Sequence, residues 1–156
     1  MKTRTIVVGV GNPVLTDDAV GIHVARRVCG ALAGRADIDV RELCLGGIEL
    51  MEALVGYDRA IIVDAMMAGG QPGTIYRSSP EALFESRNSG CAHNATLGEA
   101  LEIGRTVGLP LPAAIQIIGI EPGDVATFGE TLTWPVDEAV PLVVEELLAM
   151  LSPAAA

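Results

Sequence analysis

The chain has 156 residues, half of them hydrophobic but only 3% aromatic, and a formal net charge of −10. That length suits one domain with a substantial core, and a core so poor in rings must be built from Val, Ile, Leu and Ala, as in a parallel sheet buried between helices. The acidic balance repels nucleic-acid backbone and anionic membrane, since no basic cluster offsets it; it suits a basic protein partner or a metal ion, and is also simply common in soluble proteins.

Cys29, Cys44 and Cys91 are odd in number and lack C-x-x-C spacing. This argues against a disulfide scaffold or a zinc ribbon and for a reducing cytoplasm. The opening Met1–Val10 has the charged start and apolar run of a signal peptide, but the run is too short and lacks a cleavage site. No stretch reaches the roughly 18–20 apolar residues of a membrane span. A soluble cytoplasmic protein with no membrane insertion is expected.

Thr5–Val10 is a β-branched run that predicts a buried strand. From Ala19, apolar residues recur at Val20, Val24, Val28 and Leu32, widened by Ile22, Ala25 and Cys29, with Arg26 and Arg27 on the far side. That spacing is an amphipathic helix. Asp37–Leu45 predicts a second strand, and Ile48–Val55 a short helix after Gly46-Gly47. Ala60-Ile-Ile-Val63 is the clearest buried strand, and it ends in Asp64. Gly69-Gly-Gln-Pro-Gly73 is a turn before an edge strand at Thr74–Arg77. Ser78–Ala95 reads as loop with a helical turn near Glu81–Phe84.

Thr96–Val107 predicts a helix capped by Asn94, with Leu97, Leu101 and Gly104 on one line and Ala100, Ile103 and Val107 beside it. Ala113–Ile120 is a last buried strand, and Val136–Leu151 a final helix in which Pro141 must occupy the first turn or kink it. Alternating strands and helices predict an α/β three-layer sandwich around a mostly parallel sheet. A single domain is expected over residues 1–152, with 153–156 a frayed tail.

The loop Gly9-Val-Gly-Asn-Pro-Val-Leu-Thr-Asp-Asp18 follows the first strand where a dinucleotide fold carries G-x-G-x-x-G. Here Val14 replaces the third glycine, Pro13 stiffens the entry, and two acids occupy the place of a phosphate. One of Thr16, Asp17 and Asp18 serves as N-cap of the next helix. A cap consumes one side chain, which frees an acid at the carboxyl end of a central strand, where open α/β sheets bind ligands. Asp64 ends a second strand at the same edge. His93, at a helix N-terminus that favours its neutral form, adds an imidazole.

Two carboxylates and an imidazole fit a borderline divalent ion with an open coordination position. His23, on the outer side of the first helix, reads as a rim residue. Cys91, two residues from His93, offers weak support for a Cys-His nucleophile pair and is also available as a soft fourth ligand.

These residues resemble the maturation endopeptidases of nickel–iron hydrogenases. The likeness rests on Gly9-Val-Gly-Asn-Pro-Val-Leu-Thr-Asp-Asp-Ala-Val-Gly21, on Gly56-Tyr-Asp-Arg-Ala-Ile-Ile-Val-Asp-Ala65, on His93-x3-Leu97-x3-Leu101 and on Gly119-Ile-Glu-Pro122. It implies a twisted five-stranded sheet between helices, and a nickel-binding set at Asp18, Asp64 and His93. It also implies one reaction: removal of the C-terminal extension of a hydrogenase large-subunit precursor, with nickel arriving on that precursor. Asp18 is one methylene shorter than the Glu many members carry, and Leu45 and Ile48 stand where many have an acid and a hydroxyl. Two other readings remain at this point: a nucleotide- or nucleoside-handling α/β enzyme, and a non-catalytic chaperone that only grips the nickel-loaded precursor.

Overall fold

The computed structural model describes residues 2–44, 46–81 and 92–153, with side chains in the third helix described from Leu97 onward. Five strands form one sheet: β1 (Thr5–Val10), β2 (Ile38–Leu43), β3 (Arg59–Ala65), β4 (Ile75–Ser78) and β5 (Ala114–Ile120), in the order β2-β1-β3-β5-β4. The first three pairings are parallel, and β4 runs antiparallel at the edge. The β-branched central strands are buried on both faces, which is why β1 and β3 read as unbroken apolar runs rather than alternating ones.

The helices are α1 (Val20–Ala31), α2 (Ile48–Leu54), α3 (Ala92–Thr106) and α4 (Trp134–Leu151). Two cores separate cleanly. Val7, Ile61, Val63 and Ile118 face α1 and α4, whereas Ile6, Val8, Ile62 and Ile117 face α2 and α3. The expected three-layer α/β sandwich is therefore present. Because the connections from β1 leave toward one face and those entering β3 come from the other, a crevice opens between the carboxyl ends of β1 and β3.

Small residues set how closely α1 approaches that crevice. A Cβ built on Gly21 would lie 2.3 Å from the Val63 carbonyl oxygen and 2.5 Å from that of Val10. Gly9 is equally tight, its Cβ position 2.2 Å from the Gly21 carbonyl oxygen. The start of α1 thus rests directly on the ends of both strands. Gly21→Ala forces backbone to move, so the expected loss is about 2–3 kcal/mol of stability, read by urea denaturation. A midpoint equal to wild type would show that α1 is not seated this way.

Several expectations need correction. The α1 stripe excludes Cys29, which is exposed. In α3 the inward residues are Leu97, Ala100, Leu101 and Gly104, while Ile103 and Val107 face solvent. Asn94 lies inside α3 rather than capping it, because the helix already includes Ala92. In α4, Pro135 occupies the first turn and Pro141 lies beyond it, on an exposed face where solvent can satisfy the carbonyl that Pro141 leaves unpaired. Leu45, most of the helical turn expected at Glu81–Phe84, Cys91 and the tail 154–156 lie outside the described residues. Among the described residues no helix is long and apolar enough to cross a membrane.

Candidate active site

The loop after β1 closes on itself. Asn12 N–H donates to Asp18 Oδ2 at 3.0 Å, Leu15 N–H to the Asn12 carbonyl and Asp18 N–H to the Leu15 carbonyl. Gly11 permits this closure, since a Cβ there would meet the Asp18 carbonyl oxygen at 2.0 Å. The remaining amides are also committed: Gly11 N–H to Leu43, Val14 N–H to Asn12 Oδ1, Thr16 N–H to Gly129 and Asp17 N–H to Asp124. A phosphate cradle requires free N–H groups pointing at the ligand. This loop has spent them on the protein, and the nucleotide reading loses its physical basis.

Neither acid caps α1. Thr16–Ala19 forms a 3-10 turn that runs straight into the helix, and no side chain caps either element. Asp17 instead turns into the protein and is fully buried. Its Oδ2 accepts Gly123 N–H at 2.8 Å, Asp124 N–H at 2.9 Å and the Thr133 hydroxyl at 2.6 Å, and its Oδ1 accepts Thr133 N–H at 2.8 Å. Thr16 sits at φ +50°, a conformation that a β-branched residue adopts only under constraint. Its hydroxyl, donating to the Thr127 carbonyl at 2.6 Å, supplies part of that constraint. Together these bonds staple the 121–133 arm onto the first loop.

Asp18, the next residue, is half-buried at the crevice. Asp64 lies one residue before the end of β3 and is buried, with side-chain-free Gly119 opposite it on β5. Burial raises the Asp64 carboxyl well above the usual carboxylate range, and the charge of Asp18 raises it further. The two acids therefore share one electrostatic environment, as their strand-end positions predict. Among the described residues no third His, Cys, Asp or Glu completes a metal-sized cluster with them. His93 falls on the first turn of α3, and its side chain is outside the described residues. His23 is half-buried on α1, its imidazole held below its ordinary value by partial burial and by Arg26.

One further acid organises the edge. Glu121, directly after β5, is buried and accepts Ala68 N–H and Gly69 N–H at 2.8 Å each. It clamps the loop after β3, so that the loops following β1, β3 and β5 are cross-bonded. Sequence reading passed over the roles of Asp17 and Glu121. The only local signals were a second acid in Thr-Asp-Asp and the Glu-Pro-Gly that ends a strand.

These features define a class: an open α/β sandwich with a buried carboxylate and a neighbouring acid in the crevice at its topological switch point. Comparison with known proteins narrows the class. A family model described as hydrogenase maturation protease matches residues 22–150. The hydrogenase 2 maturation protease of Escherichia coli K12 is 28% identical over 152 residues, covering 95% of this chain and 90% of the relative. The solved structure of the hydrogenase maturating endopeptidase HybD from E. coli matches with a TM-score of 0.75 at 27% identity, over 96% of this chain and 92% of that one. The HycI [NiFe] hydrogenase maturation protease of Thermococcus kodakarensis KOD1 matches with a TM-score of 0.67 at 26% identity, over 96% and 93% of the two chains. The chain belongs to the hydrogenase maturation protease family.

Proposed function

We propose that this protein makes a single cut in the large-subunit precursor of a nickel–iron hydrogenase, removing its C-terminal extension after nickel insertion. Asp18, Asp64 and His93 engage the nickel that the precursor brings, held there by the precursor's own cysteines. The observation that carries this reading is the burial of Asp64 beside Asp18. A lone buried carboxylate beside a like charge is unfavourable and holds its proton, whereas a divalent cation delivered to the pair offsets both penalties.

Carboxylate oxygens and a neutral imidazole are suitable donors for such an ion. Engaging it would fix the adjoining peptide against the crevice, converting a loose encounter into an oriented one, and would polarise the scissile carbonyl or activate water there. The free thiols of Cys29 and Cys44 suit the cytoplasm as the site of this reaction.

The test is mass spectrometry of a nickel-loaded and a nickel-free large-subunit precursor, each incubated with the purified protein. Loss of the C-terminal extension from the loaded form alone is expected. Efficient cutting of the nickel-free form would remove nickel from the reading, and an intact loaded form would remove the proteolysis.

A further inference from the structure

The loops that follow β1, β3 and β5, and the start of α4, carry exposed apolar side chains that the reaction itself does not explain. The chain has one Trp, two Phe and two Tyr. Phe128 and Trp134 leave 82% and 71% of their surface in solvent. Phe128 lies on the arm after β5 and Trp134 opens α4 at the end of that arm, and Val14 and Met67 on the two neighbouring loops are exposed as well. Scattered exposed apolar residues are ordinary, but these occupy segments bonded to one another. Gly129 N–H donates to the Val14 carbonyl, and Gly73 N–H, on the loop that carries Met67, donates to the Glu121 carbonyl. Asp17 then fixes both ends of the arm through Gly123, Asp124 and Thr133. The aromatic side chains are thus mounted on backbone already ordered, so a partner would meet a preorganised surface and lose less entropy on docking.

Charge indicates what that partner carries. The loops 11–19, 44–47, 66–74 and 121–133 contain Asp17, Asp18, Glu121, Asp124 and Glu130 but no Lys or Arg. Arg26 on α1 lies within electrostatic reach of Glu130, and the chain's other cations include Lys2, Arg4, Arg35 and Arg59 at the opposite edge of the sheet, where Asp39 and Asp37 pair with Arg4 and Arg35. An anionic membrane is repelled by the carboxyl edge, and a second copy would set acid against acid.

We propose that Val14, Met67, Phe128 and Trp134 form the docking surface for an apolar, cation-flanked stretch of the large-subunit precursor, next to Asp18 and Asp64. This rests on the processing role proposed above and adds where client recognition occurs. Large rings at the centre of a contact dominate its affinity, and the acids around them select a cationic flank.

The experiment compares wild type, Phe128→Ser/Trp134→Ser and Glu130→Lys on a nickel-loaded precursor, measuring both steady-state cleavage and equilibrium binding to immobilised precursor. The double variant is expected to raise Kd and KM about 10–30-fold with kcat within about twofold and an unchanged melting temperature. Glu130→Lys is expected to raise KM in a way that shrinks with added salt. If wild type binds but never cuts, and the double variant loses binding, the processing role fails and the surface stands. If wild type cuts and the double variant matches it in Kd and KM, the surface fails. A fall in kcat at constant KM also overturns docking, because it would place the rings in the chemistry. Neither binding nor cutting by wild type overturns both.

Discussion

Asp17→Ala is expected to cost about 4 kcal/mol of stability, seen as a fall of roughly 10 °C in melting temperature. Three backbone N–H groups and one hydroxyl, from Gly123, Asp124 and Thr133, would lose their acceptor at once. Each buried donor left without a partner costs about 1–3 kcal/mol, and water entering from the surface recovers part of that sum. Asp17→Asn keeps the volume but turns an amide N–H₂ toward one of those donor sets, so an intermediate loss is expected. Hydrogen exchange separates local from global effects: amides of 122–133 should exchange faster well before those of β1 and β3 change. A melting temperature within 2 °C of wild type for Asp17→Ala would refute the staple.

Asp64→Asn is expected to act in opposite directions on activity and stability. Processing of a nickel-loaded precursor should fall at least about a hundredfold, since the variant lacks the anionic oxygen that would position the ion. Stability at neutral pH should rise by about 1–2 kcal/mol, the usual reward for relieving a strained functional position. Burial, then the charge of Asp18, raises the folded-state value of Asp64 above that of the unfolded chain, which is about 3.9.

At pH below that unfolded value both states hold the proton and the group contributes nothing. Above it the unfolded chain releases the proton while the folded protein retains it, so stability declines with pH until the folded group also ionises. The gap between Asp64→Asn and wild type should therefore close on acidification to about pH 4 and widen toward neutrality. Thermal melts across that range check it, and a gap that widens on acidification would contradict the burial argument. A loss of stability at pH 7 would mean that the Asp64 carboxylate is a structural acceptor rather than a poised group.

Much of the architecture was legible because its signals are local. Thr5–Val10 matches β1 residue for residue, and Ala60–Val63 falls within β3, since a run of β-branched residues between polar punctuation has few other uses in an α/β chain. The proximity of Asp18 to Asp64 was legible for a related reason: parallel strands place their carboxyl ends at one edge, so position in the chain already implies it. Asp17 was not. Its partners lie 106 to 116 residues away, and a backbone amide has no side-chain signature to read. The capping expectation for that residue rested on a sound local rule that a stronger tertiary demand overrode. Ile103 and Val107 misled similarly. Gly104 lies so close to Met51 and Leu111 that the helix contacts its neighbours along a narrow line and leaves those two outside. Pro141 shows the converse, a helix breaker tolerated where its cost falls on a solvated carbonyl.

The segregation of charge between the two edges of the sheet gives the molecule a direction. Lys2, Arg4, Arg35 and Arg59 gather where the strands begin, two of them paired with Asp39 and Asp37, whereas the loops where the strands end carry acids and no Lys or Arg, with Arg26 on α1 as a cation within electrostatic reach of Glu130. A protein polarised in this way does not tumble indifferently before a cationic partner. Its field turns it edge-first during the last Debye length of approach, about 8 Å at physiological salt, so that a larger share of collisions begin with the crevice facing the client.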